Sequence, residues 1–154
     1  MGHKFSNTRR SFIRKAALTS LGITIIPRHV MGRGYIPPSD KLNVAVVGAG
    51  GKGYSDMINV WNNGASNIAA ICDVDWNRAS PAFKDFPKAR RFKDYRNMLD
   101  EMSDIDAITV STPDHTHAVI TYAAMQLGKH VYVQKPLTHN IYEARVLTEA
   151  AVNN

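Results

Sequence analysis

The chain has few cysteines, and no run of apolar residues is long enough to span a bilayer. Cys72 is the only cysteine in 154 residues, so neither an internal disulfide nor a site built from several cysteines is available. Cys72 ends the apolar run "IAAIC", which predicts a small core residue. The longest apolar stretch falls well short of the roughly 20 residues that cross a membrane, so we expect no stable membrane anchor.

Acidic residues are absent from the first 39 positions, which carry seven basic side chains and a charge of +7. Residues 40–154 hold 12 basic and 13 acidic side chains and have a charge of −1. The net charge of +6 therefore comes from the leader. Because binding of a nucleic acid needs a basic face on the folded part, the distribution predicts no nucleic-acid partner.

The leader has the organisation of an export signal. The stretch "NTRRSFIRKAALTSLGITIIP" places a basic region before a short apolar run at residues 16–26, which Pro27 closes. The pair Arg9-Arg10, followed by Phe12, resembles the twin-arginine signal. We therefore expect residues 1–39 to be an export signal and linker, read by the twin-arginine machinery, and the protein to be periplasmic. An amphipathic helix lying on a membrane or a partner is the alternative.

From residue 40 onward, short apolar runs alternate with segments of helical periodicity. This β-α-β rhythm predicts an α/β fold with a doubly wound parallel sheet, a Rossmann-type domain over residues 40–154. Gly128 is predicted to end the fourth helix. Asn140, with Glu143 three residues later, is predicted to begin the fifth. The predicted strands are "LNVAVVG", "NIAAICDVD", "ARRF" at an edge, "IDAITVSTP" and a buried "KHVYVQKP"; the predicted helices are residues 53–62, "SPAFKDF", "YRNMLDEM", "HAVITYAAMQLG" and "NIYEARVLTEAAV".

A glycine-rich turn follows the first predicted strand. The stretch "VVGAGGKG" matches G-x-G-x-x-G, in which Gly48 permits the tight turn and Gly50 allows a pyrophosphate to approach the backbone. Gly53 allows the helix to pack on the strand. Gly51 and Lys52 complete the candidate loop, and Lys52 either approaches the pyrophosphate or points to water. The loop predicts a dinucleotide site.

Asp73 supports this interpretation from the end of the second predicted strand. It lies twenty residues after Gly53, where a carboxylate accepts hydrogen bonds from the adenosine ribose. Because the same charge repels a 2′-phosphate, we predict NAD rather than NADP, although Arg78 keeps NADP open. The alternative is a structural strand-turn-helix with a capping aspartate.

Polar residues follow the fourth predicted strand in "STPDHTH", at the carboxyl edge where open α/β sheets bind ligands. Thr112, Pro113 and His117 are the candidate cofactor-binding residues there, and a purely structural role for His117 stays open. His115 and His117 are two positions apart without a cysteine or a cluster of acids, which is a poor zinc site. We therefore predict no metal.

Together, "GAGGKG", "CDVD", "STPDHTH" and "VYVQKPLTHNIYEA" resemble the Gfo/Idh/MocA oxidoreductases over residues 42–154. The resemblance implies NAD-dependent hydride transfer to or from a sugar or polyol, with Lys135 as the catalytic residue at the reacting oxygen. It also implies that Pro136 sets the backbone bend beneath the nicotinamide. Gln134 stands where the family usually has glutamate, in its Glu-Lys-Pro motif, and the resemblance implies that Gln134, Lys135 and Pro136 all contact the cofactor.

The family also has a C-terminal α/β substrate domain with a histidine, and nothing in this chain corresponds to it. We therefore expect the chain to be the N-terminal part of a two-domain enzyme that is a homo-oligomer when full length. The exported leader and the sequence "VQKPLTHNIYEAR" resemble the secreted branch of the family. That branch includes glycosidases that use bound NAD to oxidise the sugar, eliminate the aglycone, add water and reduce the sugar again. A third hypothesis for the function is a non-catalytic module that senses a sugar or nucleotide.

Overall fold

The computed structural model describes residues 38–153, which belong to one compact unit that begins at Pro38. The twin-arginine signal predicted within residues 1–39 lies almost entirely outside the described residues. Within them, no helix combines the length and the apolar character needed to cross a membrane.

The centre of the fold is a five-stranded sheet in which every neighbouring pair is parallel and the strand order is β3-β2-β1-β4-β5. The strand order reverses direction between β1 and β4, which makes that crevice the topological switch point. The predicted doubly wound fold is confirmed. The strands are β1 (Asn43–Val47), β2 (Asn67–Cys72), β3 (Arg90–Phe92), β4 (Ala107–Val110) and β5 (His130–Val133).

All five predicted helices are present, with ends that differ by no more than one or two residues from the sequence prediction. Short 3₁₀ turns occupy Pro38–Asp40, Asn62–Gly64 and Asp114–Thr116. The helices are α1 (Lys52–Trp61), α2 (Ser80–Asp85), α3 (Tyr95–Glu101), α4 (His117–Gln126) and α5 (Ile141–Asn153).

Two apolar cores cover the two faces of the sheet, because alternate strand residues point to opposite sides. In β1, Val44 and Val46 belong to the core with Met57 of α1, whereas Ala45 and Val47 belong to the other. That second core contains Met98, Leu99 and Met102, the predicted apolar face of α3. The helices on both faces explain why the strand sequences read as nearly continuous apolar runs.

β5 differs from the prediction of a buried strand. It lies at the edge of the sheet, and only Val131 and Val133 pack against a core, while Tyr132 is 54% exposed. The prediction of burial was wrong because an apolar run does not reveal whether a strand has one neighbour or two. β3, by contrast, is the edge strand that the sequence predicted.

The helix ends follow their sequence signals closely. Gly128 adopts φ +67° and donates its N–H to Met125 O at 2.9 Å, as a C′ glycine does. Asn140 Oδ1 accepts the N–H of Glu143 at 2.9 Å. The Glu143 carboxylate accepts the N–H of His139 at 2.9 Å, one residue earlier than in a standard capping box.

Cys72 is the small core residue that its sequence context predicted, with 2% of its surface exposed. Burial raises the pKa of its thiol to about 12, and the nearby carboxylates of Asp94 and Asp73 add to the effect. We expect the folded chain to resist labelling by a disulfide reagent at about pH 8, because the thiolate is the reacting species. Unfolding in guanidinium should expose the thiol, and absorbance would follow its labelling.

The matched control for this experiment is an added thiol on the exposed side of α1. Ser55→Cys places a cysteine at an exposed position, and it should label rapidly in the folded state. Equally rapid labelling of Cys72 in the native, unmodified chain would contradict its assignment to the core.

Candidate functional site

A cleft of ≈ 650 Å³ opens where the strands end and the following loops begin. It lies at the switch point between β1 and β4, where ligands bind in open α/β sheets. Residues that follow β1, β2 and β4 line it together with the start of α3. Six of the residues predicted from the sequence are in this lining: Gly48, Gly50, Lys52, Asp73, Thr112 and Pro113.

Two of the loop glycines are required by the packing of the fold itself. Gly48 has φ +83°, and a Cβ there would lie 2.8 Å from the backbone carbonyl of Ser111. A Cβ on Gly53 would lie 1.8 Å from Gly48 O, a distance that no side chain can occupy. The tight turn predicted at Gly48 and the close helix packing predicted at Gly53 are therefore visible in the geometry.

Gly50 is different, because the atoms nearest to a Cβ there belong to a side chain rather than to the backbone. The Cβ would lie 2.6 Å from Cγ in the stem of Arg78, so that stem would have to shift. Arg78 also lies near Gly51, where a Cβ would be 3.2 Å from its Nη2. The packing of the Arg78 stem is therefore a structural reason for glycine at position 50, and the close approach of a pyrophosphate that the sequence predicted there stays a prediction.

The beginning of α1 faces this loop without a side-chain cap. Gly51 precedes the helix with φ +58°, and no side chain accepts a hydrogen bond from the first turn. The first N–H groups of a helix have no partner within the helix. Together with the positive end of the helix dipole, they favour an anion such as a diphosphate.

Asp73 contacts the glycine loop directly. Its Oδ2 accepts the N–H of Ala49 at 2.7 Å and that of Gly50 at 3.2 Å, while Oδ1 accepts the N–H of Asp75 at 2.9 Å. The carboxylate thus lies at the mouth of the cleft and holds the loop against the end of β2. Its predicted contact with a ribose stays a prediction.

Basic side chains surround the cleft from the β2 and β3 side. Arg78, Lys93 and Arg96 all line it. Lys93 Nζ lies 5.3 Å from the centre of the Trp76 ring. Arg96 pairs with Asp94 at 2.6 Å, and its hydrogen bonds hold the pKa of that carboxyl at about 2. Since Asp73, Asp75 and Asp94 line the same cleft, it offers basic groups to phosphates and carboxylates to hydroxyl groups, which suits a dinucleotide.

His117 lies behind the wall of the cleft, with 1% of its surface exposed. Its Nδ1 lies 2.7 Å from Pro136 O, and its Nε2 lies 2.8 Å from Thr112 O. It therefore joins the segment after β4 to the segment after β5. His115 is exposed, and residues 38–153 contain no group of three or more histidine, cysteine or acidic side chains placed to hold a metal ion.

Sequence reasoning missed Asp56, a buried carboxylate on α1 that is only 5% exposed. Its Oδ1 pairs with Lys52, and its Oδ2 accepts hydrogen bonds from Ser111 Oγ and Gln134 Nε2, each at 2.9 Å. Burial alone would raise the pKa of Asp56, but the hydrogen bonds from Lys52, Gln134 and Ser111 outweigh it and lower that pKa.

A signal for the burial of Asp56 was present in the sequence. Gly53, Asp56 and Met57 stand at helical spacings of three and four residues, and all three are buried on the side of α1 that faces the sheet. Lys52, which was predicted either to approach the pyrophosphate or to point to water, pairs with Asp56 and lines the cleft, so its approach to a pyrophosphate stays a prediction. Its side chain remains 61% exposed beside the cleft.

Lys135 follows β5 on an exposed stretch outside the lining of the cleft. Gln134 connects it to the sheet: its N–H donates to Val110 O at 2.9 Å, and its Oε1 accepts the N–H of Lys135 at 3.0 Å. The peptide bond between Lys135 and Pro136 is cis. Through Gln134 and Asp56, this segment is tied to the helix that begins at the glycine loop.

A parallel sheet with a glycine turn at its switch point, followed by an uncapped helix, defines a dinucleotide-binding Rossmann domain. The comparisons with known proteins agree with that class. Residues 42–154 match the family described as "Oxidoreductase family, NAD-binding Rossmann fold". The chain belongs to the Gfo/Idh/MocA oxidoreductase family, as the resemblance of its motifs implied.

Curated relatives include a glycosyl hydrolase family 109 protein of Shewanella sp. (strain ANA-3), which is 26% identical over 93% of this chain and 36% of its own length. An alpha-N-acetylgalactosaminidase of Shewanella oneidensis is 25% identical over the same shares. Among solved structures, myo-inositol 2-dehydrogenase from Lactobacillus plantarum matches with a TM-score of 0.67 and 25% identity, over 73% of this chain and 33% of that one.

A 3-ketoreductase from Actinomadura kijaniata, solved with TDP-benzene and NADP, matches with a TM-score of 0.64 and 27% identity over 73% of this chain and 34% of that one. The chain thus spans about a third of the length of these relatives.

The two kinds of glycine in the loop generate a prediction. Gly53→Ala should lower the free energy of unfolding by about 3 kcal/mol or more, because its Cβ would overlap a backbone carbonyl. Gly50→Ala should lower that free energy less, by about 1 to 2 kcal/mol, because the Arg78 stem can move whereas a backbone carbonyl cannot, and it should weaken NADH binding at least about tenfold. Urea unfolding and a fluorescence titration measure the two effects. Unaltered NADH affinity in Gly50→Ala would contradict the assignment of Gly50 to the ligand.

Proposed function

We propose that this chain is the NAD-binding part of an oxidoreductase that transfers hydride between a nicotinamide and the carbinol carbon of a sugar or polyol. The observation that carries the proposal is the glycine loop at the switch point, which lines the cleft and leads into α1, a helix whose first turn has no side-chain cap. Membership of the oxidoreductase family supports it.

The proposal assigns the parts of a dinucleotide to residues around the glycine loop and the end of β4. In this proposal the diphosphate lies over Gly50 and Gly51, Asp73 accepts hydrogen bonds from the adenosine ribose, and Thr112 and Pro113 form the wall nearer the nicotinamide. The Asp73 carboxylate favours NAD, since it would repel a 2′-phosphate. Arg78 beside the loop is the residue that would favour NADP, and a related 3-ketoreductase was solved with NADP.

Lys135 is the residue proposed to act on the substrate. Bound NAD supplies the hydride acceptor or donor. The ammonium group of Lys135 would hold or move the proton at the carbinol oxygen, while Pro136 keeps the backbone close to the cofactor. A lysine at an exposed strand end remains free to meet a substrate, and its backbone is fixed by Gln134. His117 supports the same segment through its contact with Pro136 O.

A glycosidase reaction that uses NAD transiently is a second candidate, favoured by the curated relatives named as glycosyl hydrolase family 109 proteins. In that reaction the substrate is oxidised at C3, the aglycone is eliminated across C1–C2, water adds, and the ring is reduced again. The cofactor returns to its starting state. The two candidates therefore differ in whether NADH accumulates.

The proposal predicts that the chain binds NADH more tightly than NADPH. A fluorescence titration with each cofactor checks this. Asp73→Asn should reduce the difference between the affinities for NADH and NADPH, because the charge that repels a 2′-phosphate is removed. Lys135→Ala should leave the affinity for NADH within about threefold, since the lysine is proposed to act on the substrate. If neither cofactor bound to the folded chain, the proposed function would be wrong.

A further part of the proposal, export to the periplasm by the twin-arginine route, is supported by the leader. The full-length protein is also proposed to be a homo-oligomer, which the leader does not address. The basis for export is the pair Arg9-Arg10 before a short apolar run. Replacement of both arginines by lysine keeps the charge and should abolish export, which fractionation of cells would detect. The matched control is the charge-preserving double variant Arg14→Lys and Lys15→Arg. An equal loss of export in this control and in the Arg9, Arg10 variant would contradict the twin-arginine route.

A further inference from the structure

Asp56 stands at the only point in the described residues where the glycine-loop helix, the end of β4 and the end of β5 share one charged group. A buried carboxylate is costly unless it is paired and hydrogen-bonded. Here the pairing comes from three separate segments: Lys52 on α1, Ser111 after β4 and Gln134 after β5. Only the contact with Lys52 lies within α1; the other two join the helix to the segments after β4 and β5.

We propose that Asp56 is a positioning residue that holds Gln134, and through Gln134 the backbone of Lys135, in register with the glycine loop. The connection is continuous. Asp56 Oδ2 accepts a hydrogen bond from Gln134 Nε2 at 2.9 Å. The oxygen of the same amide, Oε1, accepts the N–H of Lys135 at 3.0 Å. The consequence for cofactor binding rests on the function proposed above.

The chemistry at position 134 follows from this contact. An amide both donates and accepts, so Gln134 can donate a hydrogen bond to Asp56 while it accepts one from the backbone N–H of Lys135. A glutamate side chain of the same length would instead bring a second carboxylate against Asp56. Lys52 is the only charged side chain in the described residues that pairs with Asp56, and it is too exposed to neutralise two buried carboxylates.

The first experiment follows the Lys135 amide in the ligand-free chain by ¹H–¹⁵N NMR. Asp56→Ala removes the acceptor of the Gln134 amide, so the signals of the Gln134 side chain and of the Lys135 N–H should both shift. Glu101→Gln is the matched control, because it removes an exposed carboxylate that pairs with Arg90 and lies outside the cleft lining. Unchanged Lys135 and Gln134 signals in Asp56→Ala would overturn the inference.

The second experiment exchanges the two groups and measures NADH affinity. Gln134→Glu should weaken binding at least about tenfold at pH 8, because two carboxylates face each other. Asp56→Asn should stay within about threefold of the unmodified chain, since its amide oxygen still accepts from Gln134 and Ser111. The double variant D56N/Q134E restores a donor opposite the new carboxylate, and its affinity should return to within about threefold of the unmodified chain.

The pH dependence separates positioning from a general loss of structure. In Gln134→Glu the two carboxylates share a proton at low pH, so the affinity for NADH should recover towards that of the unmodified chain near pH 5. A loss of affinity that was equal at pH 5 and pH 8, or that persisted in D56N/Q134E, would overturn the inference. Thermal unfolding of each variant shows whether it is folded, and if Asp56→Ala is not, the Gln134→Glu series carries the same test.

Failure of the proposed function gives a different result. If the unmodified chain bound no NADH, the assignment of the cofactor would fail, and the NMR signals of Lys135 would still decide whether Asp56 positions it. If NADH bound but the Lys135 N–H signal did not shift in Asp56→Ala, the proposed function would be retained and the positioning role of Asp56 would be wrong.

Discussion

The approach of Gly53 to the carbonyl oxygen of Gly48 is the constraint on which the rest of the site depends. The space where a Cβ would stand on Gly53 lies 1.8 Å from that oxygen, and the corresponding space at Gly48 lies 2.8 Å from the backbone after β4. Three segments therefore meet where no side chain fits. This contact directs the start of α1 over the cleft, and it brings the next turn of the helix, with Asp56, against the ends of β4 and β5.

A buried charge at that second turn is stable because its partners come from the segments that the first contact brought together. Desolvation acts against the Asp56 carboxylate, and the hydrogen bonds from Lys52, Gln134 and Ser111 exceed that penalty, so its pKa is lowered. The Asp56 carboxylate therefore stabilises the fold above its usual pKa of 3.8, and this contribution is lost as the pH falls through the lower folded value. The glycine contact and the carboxylate contact reinforce each other, since neither geometry would survive a displacement of α1.

The fold could be predicted from the sequence because each element carries local information. Apolar runs and helical spacing gave the ten elements of the sheet and its helices, and Gly128 and Asn140 marked helix ends that the structure has. Gly48 and Gly53 were assigned roles from their spacing alone, and the geometry agrees with them. The half-exposure of β5 could not be predicted, because the position of a strand in a sheet is decided by tertiary contacts rather than by its own residues.

The site was less accessible to sequence reasoning where a side chain's partner comes from a distant segment. The contacts of Asp56 with Gln134 and of His117 with Pro136 O join residues whose separation in the chain gives no local pattern. The Arg78 stem likewise reaches Gly50 from the loop after β2. A Cβ at position 50 would displace this stem, so the glycine and the arginine opposite it fit together although they belong to different loops.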